Sequence, residues 1–299
     1  MHTQSNTALG ITFNVIASLL FGLMFAYTSL LHSLQGSEIY GWRILLTFPC
    51  LTIFIILQGN WSQVISIYRR LYNERYFFFT RVISSFLIGI QLWLFMWAPS
   101  NGYGLDVSLG YFMMPIAMVI LGRIAFKDKM SRLQKLSCIF AILGIINMLV
   151  LSQTLTWPTL LICLGYPIYF WLRQKTNTNN IGGVWFDMIF SLPISIFFIL
   201  QGGVLSGEFG PLFDILWLVL GLGLISALAL GFQSLSAPHL NLSLFGLLVY
   251  VEPVLLLTIS ILLGETIKSA EWPTYIAIWF AVCALMLEGI INLKKKHIA

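Results

Sequence analysis

Residues 240–263 read LNLSLFGLLVYVEPVLLLTISILL, 24 positions that contain one charged side chain, Glu252, followed at once by Pro253. A helix needs about 20 mostly apolar residues, at 1.5 Å each, to cross the hydrocarbon of a bilayer. The run does not alternate polar and apolar residues, as a barrel strand would. It therefore predicts a membrane-spanning helix with a carboxyl group near its middle. A charge at that depth is costly, by roughly 3 kcal/mol on insertion scales.

Moving outward from this run, nine others of the same kind can be marked, at about 9–31, 39–57, 79–98, 106–126, 133–151, 158–172, 183–200, 212–231 and 273–293. The whole 299-residue chain is 59% hydrophobic and only 9% charged, where an ordinary soluble domain carries roughly 25% charged residues. Too little polar surface exists to solvate a globule of this size. The expected fold is an all-α polytopic membrane protein of about ten transmembrane helices. The first run, Leu9 to Leu31, is too long for a signal-peptide core and lacks a basic leader, so it reads as a retained first helix.

The basic residues give the orientation. If the N-terminus is cytoplasmic, 14 of the 16 Lys and Arg residues fall on the inner side, in the clusters Arg69 to Arg81, Arg123 to Lys135, Arg173 with Lys175, and Lys294 to Lys296. That asymmetry is what the positive-inside tendency predicts, and it places both termini in the cytoplasm. The longest polar connection, about 58–78, contains Trp61, Val64, Ile65 and Ile67, a pattern for a short helix lying on the inner surface.

A faint internal repeat is present. An offset of 138 places Pro115 on Pro253 and Ser131 on Ser269, and an offset of 144 places Pro49 on Pro193. Five helices separate equivalent positions, an odd number, so the halves 1–152 and 153–299 would form a 5+5 inverted repeat in one membrane unit. Inverted repeats are common in secondary transporters.

Several classes of function find no support. There is no G-x-x-x-x-G-K-[ST] loop for ATP and no basic stripe for nucleic acid. Cys50, Cys138, Cys163 and Cys283 lie apart within apolar runs, without the spacing of a metal or disulfide site. No cofactor or metal is expected.

The residues that could carry chemistry are polar groups placed where lipid should be. Glu252 is either a protonatable group in a pathway, coupling solute movement to protons, or a protonated acid hydrogen-bonded in a helix contact. Pro115 and Pro253 interrupt corresponding helices, which marks either a central site or a packing kink. Arg43 and Asp187, equivalent under the 144 offset, could bind charged solute groups or form gates at opposite faces. Alternatively, Arg43 snorkels or pairs with Glu38, and Asp187 stabilises a helix N-terminus. Gln91, Trp93, Trp97 and Tyr111, joined by Tyr166, Tyr169, Trp171 and Tyr250, could build a stacking and hydrogen-bonding pocket, or simply fill helix packing and interfacial belts. Glu288 reads as interfacial, with a charge partner.

Several segments resemble the RarD-like permeases of the drug/metabolite transporter (EamA-type) superfamily. They are Glu38-Ile39 with Trp42-Arg43, Leu94 to Ala98, Ser108-Leu109-Gly110-Tyr111-Phe112-Met113-Met114-Pro115, Arg132-Leu133-Gln134, Ile168 to Arg173, Asp187 with Pro193, and Gly246 with Tyr250 and Pro253. The resemblance implies ten helices, cytoplasmic termini in a bacterial inner membrane, and a permease exporting small drugs or metabolites. It also implies a cavity lined by helices 1, 3, 4, 6, 8 and 9, with helices 5 and 10 at the periphery. Two positions depart from the family pattern. Glu252 stands where a glycine is usual, and Lys127-Asp128 stands where Gly-Glu is usual. The expected activity is secondary transport of small amphipathic solutes by alternating access, not enzymatic catalysis. The competing readings are an intramembrane lipid-modifying enzyme, which needs two converging catalytic groups, and a non-transporting scaffold, which needs no cavity.

Overall fold

In a computed structural model of the chain, the described residues are 7–31, 33–152, 156–205, 212–252, 254–255 and 269–298. Among them all regular structure is helical. The helices are α1 (Thr7–Thr28), α2 (Gly36–Leu57), α3 (Trp61–Asn73), α4 (Arg75–Ser100), α5 (Gly104–Phe126) and α6 (Arg132–Ser152). They continue as α7 (Trp157–Lys175), α8 (Ile181–Gln201), α9 (Leu212–Ser236), α10 (Leu242–Leu248) and α11 (Trp272–Ile298).

Helix boundaries follow local chemistry. The Asn180 and Asn241 side chains accept N–H bonds from Gly183 (3.0 Å) and Leu244 (2.8 Å), capping α8 and α10. At the start of α6, Ser131 and Gln134 bond reciprocally, the Gln134 N–H donating to Oγ at 3.1 Å and the Ser131 N–H to Oε1 at 3.2 Å, a capping box. At the end of α5, Lys127 takes a left-handed conformation with φ 56°. That conformation favours glycine, the residue the family pattern usually has here. Next to it, Asp128 accepts from the Ser243 N–H (3.0 Å) and hydroxyl (2.9 Å) at the start of α10. The Lys127-Asp128 departure therefore costs backbone strain while tying α5 to α10.

Eight helices among the described residues are long and apolar enough to cross a membrane. Their outward faces carry Ile53, Leu57, Phe86, Ile139, Leu143, Val150, Leu200 and Phe280, all exposed, the surface a bilayer would cover. Two of the ten expected runs do not appear in that form. The helix at 158–172, α7, has a polar end in Arg173, Gln174 and Lys175. The helix at 240–263 is broken where it is described. After α10 the chain turns at Val249–Tyr250, and Val249, Tyr250 and Glu252 donate N–H bonds to Gly246, Leu247 and Val249, three residues back. Proline has no N–H to offer the Val249 carbonyl, so the i→i+3 bond from Glu252 satisfies it instead. Pro253 itself lies outside the described residues.

The 58–78 connection forms the amphipathic α3, with Val64 and Ile67 buried against α4 and α8 while Tyr68 and Tyr72 are exposed. Packing pairs α1 with α9, α4 with α7, α2 with α8, α5 with α7 and α10, and α6 with α11. The α6–α11 pair is joined by Asn147, which donates to the Ala270 carbonyl and Thr274 hydroxyl, both at 2.9 Å. Glu288 sits in this pair, where its Oε1 accepts from the Gln134 amide at 3.1 Å.

Candidate functional site

Seven segments converge on a central cavity. Phe21 and Met24 come from α1, Arg43 from α2, Ile88, Leu92 and Phe95 from α4, and Tyr111 and Met114 from α5. Tyr166 and Phe170 come from α7, Leu230 and Gln233 from α9, and Val249 and Glu252 from the broken segment after α10. The space open to a water-sized sphere is only about 30 Å³, room for little more than a water molecule or two. The wall is apolar and aromatic, with Arg43 and Glu252 as its two charged residues.

Arg43 lies about 10 Å along α2 from Gly36, by the rise per residue, and is 1% exposed. Its Nε donates to the Ser226 hydroxyl at 2.9 Å, and its guanidinium faces the Phe95 ring at 5.8 Å. Its Nη1 has no hydrogen-bond partner. Neither snorkelling nor a pair with Glu38 describes it. The Glu38 carboxylate instead accepts the Gly203 and Val204 N–H groups at 3.2 and 3.0 Å.

Near the α7–α8 turn lies a buried polar network. Arg81 of α4 forms an ion pair with Asp187 of α8. The same carboxylate accepts from the Ser85 hydroxyl at 2.8 Å and the Tyr169 hydroxyl at 2.8 Å. Arg173 of α7 donates to the Tyr169 oxygen at 2.8 Å and to the carbonyls of Thr178 and Asn180. Arg81 also donates to Thr178 Oγ1 and the Gly183 carbonyl. Arg81 and Arg173 belong to the basic clusters expected on the inner side. Both are buried, because Asp187 and the carbonyls of the α7–α8 turn offer what water would otherwise supply.

Aromatic rings form a second group. Trp93 stacks on Trp97 at 4.8 Å, and Trp97 meets Tyr103 at 5.6 Å and Trp157 at 6.0 Å. Trp93 also donates to Ser37 Oγ at 3.1 Å, linking α4 to α2.

The residues singled out from sequence thus separate. Arg43, Tyr111 and Glu252 share the central cavity. Asp187 and Tyr169 belong to the polar network, and Trp93 and Trp97 to the aromatic stack. Gln91 is fully buried between α4 and α7, its amide donating to the Leu161 carbonyl at 2.8 Å, and it does not line the cavity. Pro115 stays within a continuous α5, beside Gly246 of α10. Tyr250 is fully buried, with its hydroxyl donating to the Phe112 carbonyl at 2.8 Å, in the turn that Pro115 weakens. These last three brace the wall. Sequence reasoning passed over Ser226 and Gln233, yet a signal existed. In the run from Ile215 to Phe232 the one polar side chain is Ser226, and Gln233 follows directly. Both reach the site. Among the described residues, no group of three His, Cys, Asp or Glu could hold a metal.

A multi-helix bundle with apolar outer faces around a small cavity bearing Arg43 and Glu252 is an arrangement that suits a membrane transporter. The comparisons with known proteins agree. Residues 8–150 match the model of the EamA-like transporter family. An "Uncharacterized transporter" of Haemophilus influenzae is 35% identical over 97% of each chain. The "Chloramphenicol-sensitive protein RarD" of Pseudomonas aeruginosa is 34% identical over 96% of each. A crystal structure covering 95% of this chain and 99% of its own superposes with a TM-score of 0.65 at 13% identity, which speaks to fold alone. The chain belongs to the EamA-like transporter family, as a RarD-like permease.

Proposed function

We propose that the protein is a secondary transporter that exports small amphipathic solutes from a bacterium by alternating access, with the solute held between Arg43 and Glu252. The observation that carries this reading is the convergence of seven segments on one cavity that holds Arg43 and Glu252. Solutes of this kind fit the wall: aromatic and aliphatic faces with a few polar anchors. With so little open space, solute cannot enter until helices separate at one closure. The aromatic stack around Trp97 would be the outer closure, and the Arg81–Asp187–Tyr169–Arg173 network the cytoplasmic one.

The topology in this proposal has ten spans, with α7 as the sixth and the broken segment as the ninth. The termini are cytoplasmic, in the inner membrane, and the repeats are 1–152 and 153–299. Helix packing supports the repeat. Advancing each transmembrane helix by five turns the α1–α9 pair into α7–α4, and α2–α9 into α8–α4, and it returns α2–α8, α5–α10 and α6–α11 to themselves. Paired arrangements of that kind suit a rocking motion of two halves about a fixed site. Export is the direction that the resemblance to RarD-like permeases implies.

Glu252 is the group through which protons would couple to the solute. A pH-sensitive dye sealed in proteoliposomes tests this, with metabolites and antibiotics added to wild type and Glu252→Gln. Solute-dependent proton flux in wild type, lost in the variant, is the expected result. Equal flux in both would remove Glu252 from coupling, and solute uptake by mass without proton flux would point to another ion or to uniport.

A further inference from the structure

The transport reading leaves the chemistry of the solute open, and the present inference rests on that reading. Arg43 is 1% exposed, lines the cavity, and keeps one nitrogen, Nη1, without an acceptor. A buried donor without a partner is a costly feature, and here it belongs to a residue that lines the cavity. We propose that the solute is an organic monocarboxylate with an apolar or aromatic body, and that its carboxylate is the acceptor Arg43 lacks.

Charge balance extends the argument to Glu252. The polar groups that share the cavity with Glu252 are Arg43 from α2, Tyr111 from α5, Tyr166 from α7 and Gln233 from α9; α1 and α4 contribute only apolar side chains. Empty, the cavity holds one positive group, Arg43, and one carboxylate, Glu252. A second carboxylate would leave it with a net negative charge in a low dielectric, which is strongly unfavourable. Uptake of one proton by Glu252 restores neutrality. The proton comes from solvent and forms the O–H bond of the Glu252 carboxyl, while the Arg43 guanidinium takes the solute carboxylate. The protonated acid then has neutral hydroxyl and amide groups, Tyr111, Tyr166 and Gln233, lining the same space. A cationic solute would instead raise the net charge beside Arg43. Loaded and empty sites are both neutral when the anion and proton travel together, so export is driven by the outward gradient of the solute and not by the proton-motive force. Body selection falls to the rings of Phe21, Phe95, Tyr111, Tyr166 and Phe170.

The test uses the full chain in lipid nanodiscs with four probes built on one phenyl body: 3-phenylpropionate, 3-phenylpropionamide, phenethylamine and phenylalanine. Thermal stabilisation reports binding. The carboxylate should stabilise wild type most. Its apparent affinity should weaken, by up to about tenfold per pH unit, wherever Glu252 of the free protein is ionised. Glu252→Gln should still bind the carboxylate, with affinity that no longer varies with pH. Arg43→Gln should lose binding. Because that variant can unfold, Arg43→Lys serves beside it and should bind measurably but more weakly. Preference for phenylalanine or phenethylamine, or carboxylate binding indifferent to both Arg43 variants, would overturn the assignment. Counterflow in proteoliposomes loaded with a mixed metabolite extract separates the two readings. If wild type exchanges some metabolite by mass but neither binds nor moves the carboxylate, the anion assignment falls and transport stands. If nothing exchanges, both fall.

Discussion

Asp187 and Arg43 occupy equivalent positions under the 144 offset, yet they meet opposite situations. Asp187 is surrounded by donors, Arg81, Ser85 and Tyr169, whereas Arg43 has one acceptor and an unused N–H. A carboxylate held by three donors suits a structural closure, and a guanidinium with one acceptor suits ligand exchange. Asp187→Asn removes the only carboxylate among the side chains given for that network, leaving Arg81 and Arg173 buried together. Breaking a buried pair from one side costs roughly 3–5 kcal/mol, so the thermal midpoint of the detergent-solubilised variant should fall steeply. Adding Arg81→Gln should recover part of the loss. Additive losses in the double variant would mean the pair is not coupled. At this scale, the sequence made Glu252 and Arg43 legible because each is a lone charge in an apolar run. It hid Arg81 and Arg173, which sit near helix ends where basic residues are usually solvated. Arg81 is buried against Asp187, 106 positions away on another helix, and Arg173 against Tyr169 and the carbonyls of the turn after α7; no local pattern carries either pairing.

At the scale of elements, the apolar runs gave helices α1, α2, α4 to α6, α8, α9 and α11 within a few residues of their expected ends, since length and hydropathy act locally. The break at Val249–Tyr250 was marked only as a proline, because a proline does not reveal whether a helix kinks or parts. Pro115 and Pro253 illustrate the difference: α5 runs through Pro115, whereas the helix ahead of Pro253 gives way to i→i+3 bonds. The junction of α5 with α10 also explains the Lys127-Asp128 departure, with Asp128 holding the start of α10 while Lys127 bears a positive φ. A non-glycine residue in that region costs on the order of 1 kcal/mol. Lys127→Gly should therefore raise thermal stability by about that amount and leave transport unchanged. Reduced stability would mean that the Lys127 side chain contributes more than its backbone costs.

For the whole molecule, the proposal is two closures around the cavity that holds Arg43 and Glu252, in two halves related by a five-helix shift. Those features give a physical basis for a site that opens to each face in turn. The cavity is lined from α1, α2, α4, α5, α7, α9 and the segment after α10, and Arg43 of α2 is bonded there to Ser226 of α9. Met24 of α1 lines the cavity and is fully buried in this closed arrangement. The direct test is to place a cysteine there, Met24→Cys, after replacing Cys50, Cys138, Cys163 and Cys283 by serine. A membrane-impermeant thiol reagent would then be applied to right-side-out and inside-out vesicles, with and without transported solute. Alternating access predicts labelling from both faces, with solute shifting the balance between them. Labelling from neither face, or from one face under every condition, would contradict it.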